Sequence, residues 1–227
     1  MALETKMLCV FDFDGTIAES KPVYYKAIEV YSQRNGFKMP NQSDMDLVFG
    51  NPTPPIVFET WEAKGDFITH MENVYAMTDG LICGQPSIMP LFDGIREQLI
   101  ELKKNLILSI VTSRSLKPIQ TLIHHHNIDT YFKTIRSAQD IIDRGYRGKP
   151  YPDKLNCVLK ELACPAENAV MIGDTLMDMV MAKNAGTKAI GVSWGYHDET
   201  TLRQHGADYI VKNPQELKDA IYGLLIA

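Results

Sequence analysis

The amino-acid sequence predicts an α/β fold built on a parallel sheet, with a helical segment inserted near its start. Apolar stretches of strand length recur along the 227 residues, and stretches with helical periodicity lie between them. This alternation is typical of a parallel sheet covered by crossover helices on both faces. The predicted strands are residues 7–11, 106–111, 169–172, 189–192 and 209–211. The predicted crossover helices are residues 95–104, 118–126, 154–162, 177–184 and 214–225.

The segment from residue 20 to residue 88 departs from this alternation. It contains helical patterns and several aromatic residues, but no convincing strand. Residues 84–90 are rich in Gly and Pro, which interrupt regular structure and indicate a linker or hinge. We therefore predict a core formed by residues 1–19 and 89–227, with residues 20–88 inserted as a helical unit.

Composition excludes some classes of partner. The formal net charge is -5, so the chain has no general positive field that would attract nucleic acid. The apolar run near the N-terminus, residues 7–11, is too short for a membrane span or for a signal peptide. We expect a cytoplasmic protein without a membrane partner. The sequence does not choose between a monomer and a homodimer.

Two aspartates follow the first predicted strand. Asp12 and Asp14 are two positions apart, so in extended backbone their side chains point to the same side. Parallel sheets bind ligands at the carboxyl ends of their strands, which favours a functional site at this position. Taken alone, the pattern Asp-x-Asp-Gly also fits a calcium loop or a simple turn.

Polar residues also follow the second predicted strand and precede a later helix. Thr112 and Ser113 offer hydroxyl and backbone N–H groups that could bind phosphate oxygens, although a helix cap uses the same residues. Lys149 follows Gly148 and lies beside Pro150 and Pro152, two prolines that restrict the backbone, which indicates that its position matters. An exposed loop lysine is the alternative.

A second pair of aspartates follows the predicted strand at 169–172. Asp174 and Asp178 are four residues apart, and this spacing predicts that both lie on one face of a helix as it begins. Together with Asp12 and Asp14 they would bring four carboxylates to one pocket, where they would raise one another's pKa values unless a cation is present. Ligands that are all oxygen favour a hard divalent ion, and Mg²⁺ best leaves room for water and a phosphate oxygen.

In combination, these motifs resemble those of the haloacid dehalogenase-like hydrolase superfamily. The match covers nearly the whole chain in the family's order: Asp12-x-Asp14-Gly15-Thr16, then Thr112, then Lys149, then Gly173-Asp174-Thr175-x-x-Asp178. The resemblance implies a Rossmann-like core with a small all-helical cap domain at residues 20–88. It also implies Mg²⁺ as cofactor and a small-molecule phosphate ester as substrate.

The resemblance assigns a role to each matched residue. Asp12 would be the nucleophile and a magnesium ligand, while Asp14 would act as acid and base and contact the metal through its backbone carbonyl. Asp174 would bind magnesium directly, and Asp178 would bind it through water or orient the site. The substrate phosphate would be held by Thr112, Ser113 and Lys149.

The second aspartate, Asp14, favours a phosphatase over a dehalogenase, because displacing a halide needs no proton donor. The C-terminal segment around Trp194-Gly195-Tyr196 resembles the phosphoglycolate phosphatase branch, and we interpret this turn as structural. We expect Arg114 to be a solvated residue at the start of a helix; the alternative is that it helps to hold an anionic substrate. The alternatives are a phosphomutase similar to beta-phosphoglucomutase, an inorganic pyrophosphatase of the same superfamily and, less favoured, a phosphoaspartate signalling module.

Overall fold

In the computed structural model, residues 7–41, 45 and 66–225 are described. Within these residues six strands form one sheet in the order β3-β2-β1-β4-β5-β6, and every pairing between neighbouring strands is parallel. The α/β prediction is therefore confirmed. The strands are β1 Leu8–Phe11, β2 Ile107–Val111, β3 Phe132–Arg136, β4 Ala169–Gly173, β5 Lys188–Val192 and β6 Tyr209–Val211.

Nine α-helices of at least six residues accompany the sheet in the described ranges. Both faces of the sheet are covered, as the predicted alternation requires. The helices are α1 Lys21–Asn35, α2 Phe67–Gly84, α3 Ile95–Leu102, α4 Leu116–His125, α5 Gln139–Arg144, α6 Asp153–Glu161, α7 Leu176–Ala185, α8 Glu199–Gln204 and α9 Leu217–Leu225.

Strand β1 shows why both faces are apolar. Its alternate side chains belong to two different apolar clusters: Cys9 and Phe11 pack in one cluster, and Leu8 and Val10 pack in the other. The first cluster includes side chains of α3, α4 and α9, and the second includes side chains of α6, α7 and α8. A strand buried on both faces has no polar positions, which explains its uninterrupted apolar sequence.

The central position of β1 determines where its C-terminal residues lie. Phe11, the last residue of β1, pairs with Ile110 of β2 and with Ile172 of β4. Because the three strands are parallel, their carboxyl ends meet at one edge of the sheet. The polar residues that follow β1, β2 and β4 are therefore brought together.

Three short elements, β3, α5 and α8, were not predicted from the sequence. Strand β3 lies at the edge of the sheet, and its exposed Lys133 interrupts the apolar pattern. The helices α5 and α8 have six residues each, too few for a clear helical period. The five predicted strands and five predicted crossover helices are present, with ends that differ by a few residues.

Helices α1 and α2 pack against each other within the predicted insertion. Tyr24, Ile28 and Tyr31 of α1 form an apolar cluster with Met71 and Val74 of α2, and this cluster is separate from the two beside the sheet. Residues 42–44 and 46–65, which include the Pro-rich residues 52–55 of the predicted insertion, lie outside the described part of the chain.

The two chain connections that flank this insertion run side by side. Glu19 donates its backbone N–H to Pro90 O at 2.9 Å, and Phe92 donates to Ile17 O at 3.1 Å. Ala18 and Leu91 form an antiparallel bridge between the same two connections. The chain therefore leaves and re-enters the sheet-bearing part at neighbouring points. None of the described helices is long and apolar enough to cross a lipid bilayer.

Candidate active site

Asp12 is the first residue after β1. Its backbone N–H donates to Ile172 O at 2.8 Å, which continues the pairing with β4 by one residue and holds Asp12 at the edge of the sheet. The chain then turns through Gly15, whose φ of 74° lies in the left-handed region that glycine adopts without strain. Asp12 is 6% exposed and lines a cavity of about 430 Å³.

Three buried carboxylates converge behind this cavity. Asp12, Asp174 and Asp178 each present one oxygen, and these oxygens lie within 4.8 Å of one another. Asp14, in contrast, does not contribute a carboxylate oxygen to this group, although it lines the cavity. The four acids were expected to share one pocket. Asp12 and Asp14 line the cavity, whereas Asp174 and Asp178 are fully buried and do not line it.

Asp174 is held from both sides of the site. Thr16 donates its hydroxyl to Asp174 Oδ1 at 3.0 Å, and the backbone N–H of Tyr196 donates to Asp174 Oδ2 at 2.8 Å. A Cβ atom added to Gly15 or to Gly195 would lie 2.1 Å or 2.2 Å from Asp174 Oδ2. These two glycines therefore allow the chain to close tightly around the Asp174 carboxylate.

Asp178 caps the helix that follows. Thr175 is the N-cap of α7, and Asp178 Oδ2 accepts hydrogen bonds from Thr175 N at 3.1 Å and from Thr175 Oγ1 at 2.6 Å. The two groups form a capping box. The prediction that Asp174 and Asp178 share a helix face was wrong, because Asp174 precedes the N-cap. The capping box, and not the helical spacing, turns Asp178 toward Asp174.

Lys149 bridges two of the carboxylates. Its Nζ lies 2.7 Å from Asp12 Oδ1 and 2.6 Å from Asp178 Oδ1, and its side chain is only 5% exposed. The alternative of an exposed loop lysine is therefore wrong. Although burial alone would lower the pKa of Lys149, the charges of Asp12 and Asp178 raise it above its ordinary value.

The carboxylates are costly to ionise in this place. Burial raises the pKa of Asp12 to about 7; Lys149 opposes this shift, whereas Asp178 and Asp14 add to it. Burial, followed by the charges of Asp12 and Asp178, also raises the pKa of Asp174 well above its ordinary value. Three buried acids with one lysine carry an excess of negative charge, which a divalent cation would neutralise.

Thr112 and Ser113 follow β2 at the same edge and line the cavity. Thr112 is buried, and its Oγ1 accepts a hydrogen bond from the backbone N–H of Arg114 at 3.1 Å. Its carbonyl oxygen accepts from Nζ of Lys154, a fully buried lysine, at 2.5 Å. Sequence reasoning did not single out Lys154, because one lysine in an amphipathic helix such as α6 is usually exposed.

The structure corrects the prediction for Arg114. Its side chain is 2% exposed and forms ion pairs with Asp14 of the β1 edge and with Asp79 of α2. The Nε atom lies 3.1 and 2.9 Å from the two carboxylate oxygens of Asp14, and Nη1 lies 3.0 Å from Asp79 Oδ1. Arg114 is buried because α2 covers it, and sequence analysis of α4 alone could not show this.

Residues of the helical insertion and of the C-terminal turn complete the cavity wall. Tyr24, Tyr75 and Asp79 line it from α1 and α2, and Tyr196 lines it from the turn after β5. Tyr24 has two roles, because it belongs to the apolar cluster of α1 and α2 and also faces the cavity. No motif in the sequence pointed to Asp79.

The turn containing Trp194 and Tyr196 was interpreted as structural, and it is also part of the site. Trp194 donates its ring N–H to Thr16 O at 3.2 Å, and Tyr196 both binds Asp174 and lines the cavity. The histidines 124–126, in contrast, stay outside the site: His126 Nε2 lies 2.9 Å from Met89 O, away from the acidic group.

The chain is similar to several known proteins over nearly its whole length. A phosphoglycolate phosphatase from Colwellia psychrerythraea is 25% identical over 96% of this chain and 97% of its own length. The pyrophosphatase PpaX from Bacillus velezensis is 26% identical over 92% of this chain and 93% of its own length. A haloacid dehalogenase-like family hydrolase from Streptococcus pneumoniae has a similar fold, with a TM-score of 0.77 at 21% identity, covering 96% of this chain and 99% of that one.

The sequence profile described as haloacid dehalogenase-like hydrolase matches residues 9–192. This range contains the residues that follow β1, β2 and β4, as well as Lys149. The matched range is more than half of the chain, and the similarity to phosphoglycolate phosphatases extends over nearly all of it. The chain therefore belongs to the haloacid dehalogenase-like hydrolase family, in its phosphoglycolate phosphatase-like branch.

Proposed function

We propose that this protein is a Mg²⁺-dependent phosphatase that hydrolyses a small-molecule phosphate monoester through a phosphorylated Asp12. The observation that carries the proposal is that Asp12 belongs both to the acidic group and to the cavity wall. Its carboxylate belongs to the buried acidic group with Asp174 and Asp178, and it also lines the cavity. In this mechanism the nucleophile contacts both the substrate and the metal ion, and Asp12 lies where it can contact both.

The donor set fits Mg²⁺. All three convergent groups are carboxylates, which suit a hard ion, and their excess negative charge calls for a cation. We propose that Asp12 and Asp174 bind the ion together with the backbone carbonyl of Asp14. Following the resemblance to the family, we propose that Asp178, whose Oδ1 pairs with the ammonium group of Lys149, acts through water or by orienting Lys149. When bound, Mg²⁺ supplies the positive charge that phosphoryl transfer requires.

We propose that the Asp12 carboxylate attacks phosphorus and that Thr112, Ser113 and Lys149 bind the phosphoryl oxygens. Lys149 has three N–H donors, of which Asp12 and Asp178 engage two. Ser113 is exposed at the cavity, and Thr112 is held in place from both its side chain and its carbonyl group. Positioned donors of this kind stabilise the charge of a transferring phosphoryl group.

Asp14 is the proposed acid and base. As the bond from phosphorus to the leaving oxygen breaks, Asp14 would give its proton to that oxygen. The resulting carboxylate would take a proton from the water that attacks the phosphorylated Asp12. The Nε atom of Arg114 donates to both carboxylate oxygens of Asp14 and so holds this side chain in position at the cavity.

We also propose that residues 20–88 form a cap domain on a core of residues 1–19 and 89–227. The separate apolar cluster of α1 and α2 and the neighbouring connections at Glu19 and Pro90 support this division. Asp79 and Tyr75 of α2 would then contribute the cap's side of the cavity, where the leaving group of the substrate would lie.

The test measures phosphate release from a panel of small phosphate monoesters, with Mg²⁺ and with a chelator. We expect release that requires Mg²⁺ and that disappears in Asp12→Asn, since an amide is not a nucleophile. The matched control is Asp129→Asn, which changes an exposed aspartate away from the cavity and should keep full activity. Release that persists in Asp12→Asn, or no release from any ester, would reject the proposal.

A further inference from the structure

Two cations line the cavity in the part of the chain that the structure describes, and each is bound by two carboxylates. Lys149 pairs with Asp12 and Asp178, and Arg114 pairs with Asp14 and Asp79. Lys149 lies at the phosphoryl end, beside the proposed nucleophile. Arg114 lies toward α2, where the leaving group would extend. The charge around Arg114 therefore decides which leaving groups the cavity accepts.

Arg114 has no surplus positive charge to offer an anionic leaving group. The guanidinium lies between the carboxyl groups of Asp14 and Asp79, so Asp79 offsets its charge even when Asp14 carries the proton that it gives to the leaving oxygen. The guanidinium carbon also lies 5.1 Å from the centre of the Tyr24 ring, so one of its faces is covered. To reach Arg114, a second anionic group on the substrate would have to lie beside the carboxyl groups of Asp14 and Asp79.

The other described residues that line the cavity near Arg114 are uncharged. Tyr24, Tyr75 and Tyr196 present aromatic rings and phenol groups to the cavity. Burial raises the pKa values of Tyr24 and Tyr196, so these phenols stay neutral. Rings and hydroxyls of this kind pack against, and hydrogen-bond with, uncharged alcohols.

We propose that the preferred substrates are phosphate monoesters of uncharged alcohols, and that Asp79 determines this preference by neutralising Arg114. The inference rests on the proposed phosphatase function and adds the substrate class. It separates this chain from the activity for which its phosphoglycolate phosphatase relatives are named, because phosphoglycolate carries a carboxylate on its leaving group. Pyrophosphate, whose leaving group is itself an anion, is disfavoured for the same reason.

The first experiment compares two esters of matched size on the unaltered protein with Mg²⁺. Phosphoglycolate and 2-hydroxyethyl phosphate differ in whether the leaving alcohol ends in a carboxylate or in a hydroxymethyl group. We expect kcat/KM to favour 2-hydroxyethyl phosphate by about tenfold or more, because like charges placed together oppose binding. Glycerol 1-phosphate and 3-phosphoglycerate form a second matched pair with the same expected direction.

The second experiment changes Asp79. Asp79→Asn removes one negative charge from the wall and leaves Arg114 with one carboxylate partner. We expect the preference for the uncharged ester to fall by about tenfold, mainly through a lower KM for phosphoglycolate. The control is Glu72→Gln, which removes the same charge from an exposed position on α2 outside the cavity and should leave the ratio of the two kcat/KM values unchanged.

The possible outcomes distinguish a failure of the proposed substrate preference from a failure of the proposed phosphatase function. Phosphate release with a preference for phosphoglycolate or pyrophosphate would overturn the inference and leave the phosphatase function standing. An unchanged ratio in a folded Asp79→Asn protein would overturn the role of Asp79. Absence of release from every ester would reject the phosphatase function, and the inference with it. The comparison on the unaltered protein decides the substrate class even if the variant does not fold.

Discussion

The ammonium group of Lys149 donates to Asp178 across 2.6 Å, and through this contact a loop before α6 is tied to the first turn of α7. Asp178 also accepts from Thr175, so one buried carboxylate caps a helix and orients the lysine of the site. Catalytic geometry and local stability are therefore coupled here. Changes at this contact should alter both.

Lys149→Met removes the cation shared by Asp12 and Asp178. We expect phosphate release to be lost and the free energy of unfolding near pH 7 to fall by about 3–5 kcal/mol, since breaking a buried ion pair leaves uncompensated charge. Denaturant titration measures the stability. Lys133→Met, at an exposed position of β3, serves as the control and should change the stability by less than about 0.5 kcal/mol. Equal stability of the two variants would contradict the importance of the bridge.

Gly195→Ala tests how tightly the C-terminal turn closes on Asp174. The added methyl group would lie 2.2 Å from Asp174 Oδ2, so the carboxylate must move. We expect the affinity for Mg²⁺, measured as the ion's effect on the melting temperature, to fall about 10- to 100-fold, as when groups around metal ligands are altered. Gly223→Ala, which meets open space in α9, is the control. Unchanged Mg²⁺ affinity in Gly195→Ala would show that Asp174 is not needed for the ion.

Asp14→Asn tests acid and base catalysis. The amide cannot exchange a proton with the leaving oxygen or with water, so we expect kcat to fall by about 10²- to 10⁴-fold for an ester with a poor leaving group. The phenolate of an acidic phenol leaves without protonation. For an ester of such a phenol, the rate of phosphoryl transfer to Asp12 should therefore fall less. Rapid-mixing kinetics would separate the two steps. Equal rates for Asp14→Asn and the unaltered protein would refute the assignment.

The buried Lys154 predicts a specific pH dependence of stability. Burial, followed by the charge of Lys149, lowers the pKa of Lys154 to about 8, against roughly 10.4 in the unfolded chain. Between these values the unfolded chain binds more protons than the native protein, so the contribution of Lys154 to stability rises with pH through this window. Below about pH 8 both states are protonated and the penalty of burial is fully present.

Lys154→Met should abolish this rise. Relative to the variant, the unaltered protein should gain roughly 3 kcal/mol of unfolding free energy between pH 7 and about pH 10.5. Denaturant titrations of both proteins across this range measure the difference, in which pH effects common to both cancel. A constant difference would mean that Lys154 titrates as an ordinary exposed lysine.

Much of the fold followed from local patterns in the chain. The apolar runs of β1, β2, β4, β5 and β6 are visible because a parallel strand buried on both faces has no polar positions. The edge strand β3 was missed, because one side of it meets solvent and its sequence alternates. Short helices such as α5 and α8 have too few turns to show a period.

The sequence by itself determined the parallel α/β class and the chemically capable residues of the sheet edge, among them Asp12, Asp174 and Lys149. It could do so because strand burial and motif spacing are local properties of the chain. Only the tertiary structure decided that Arg114 is buried between Asp14 and Asp79. The physical reason is that Asp79 of α2 and Arg114 are 35 residues apart along the chain. Only folding brings their opposite charges together.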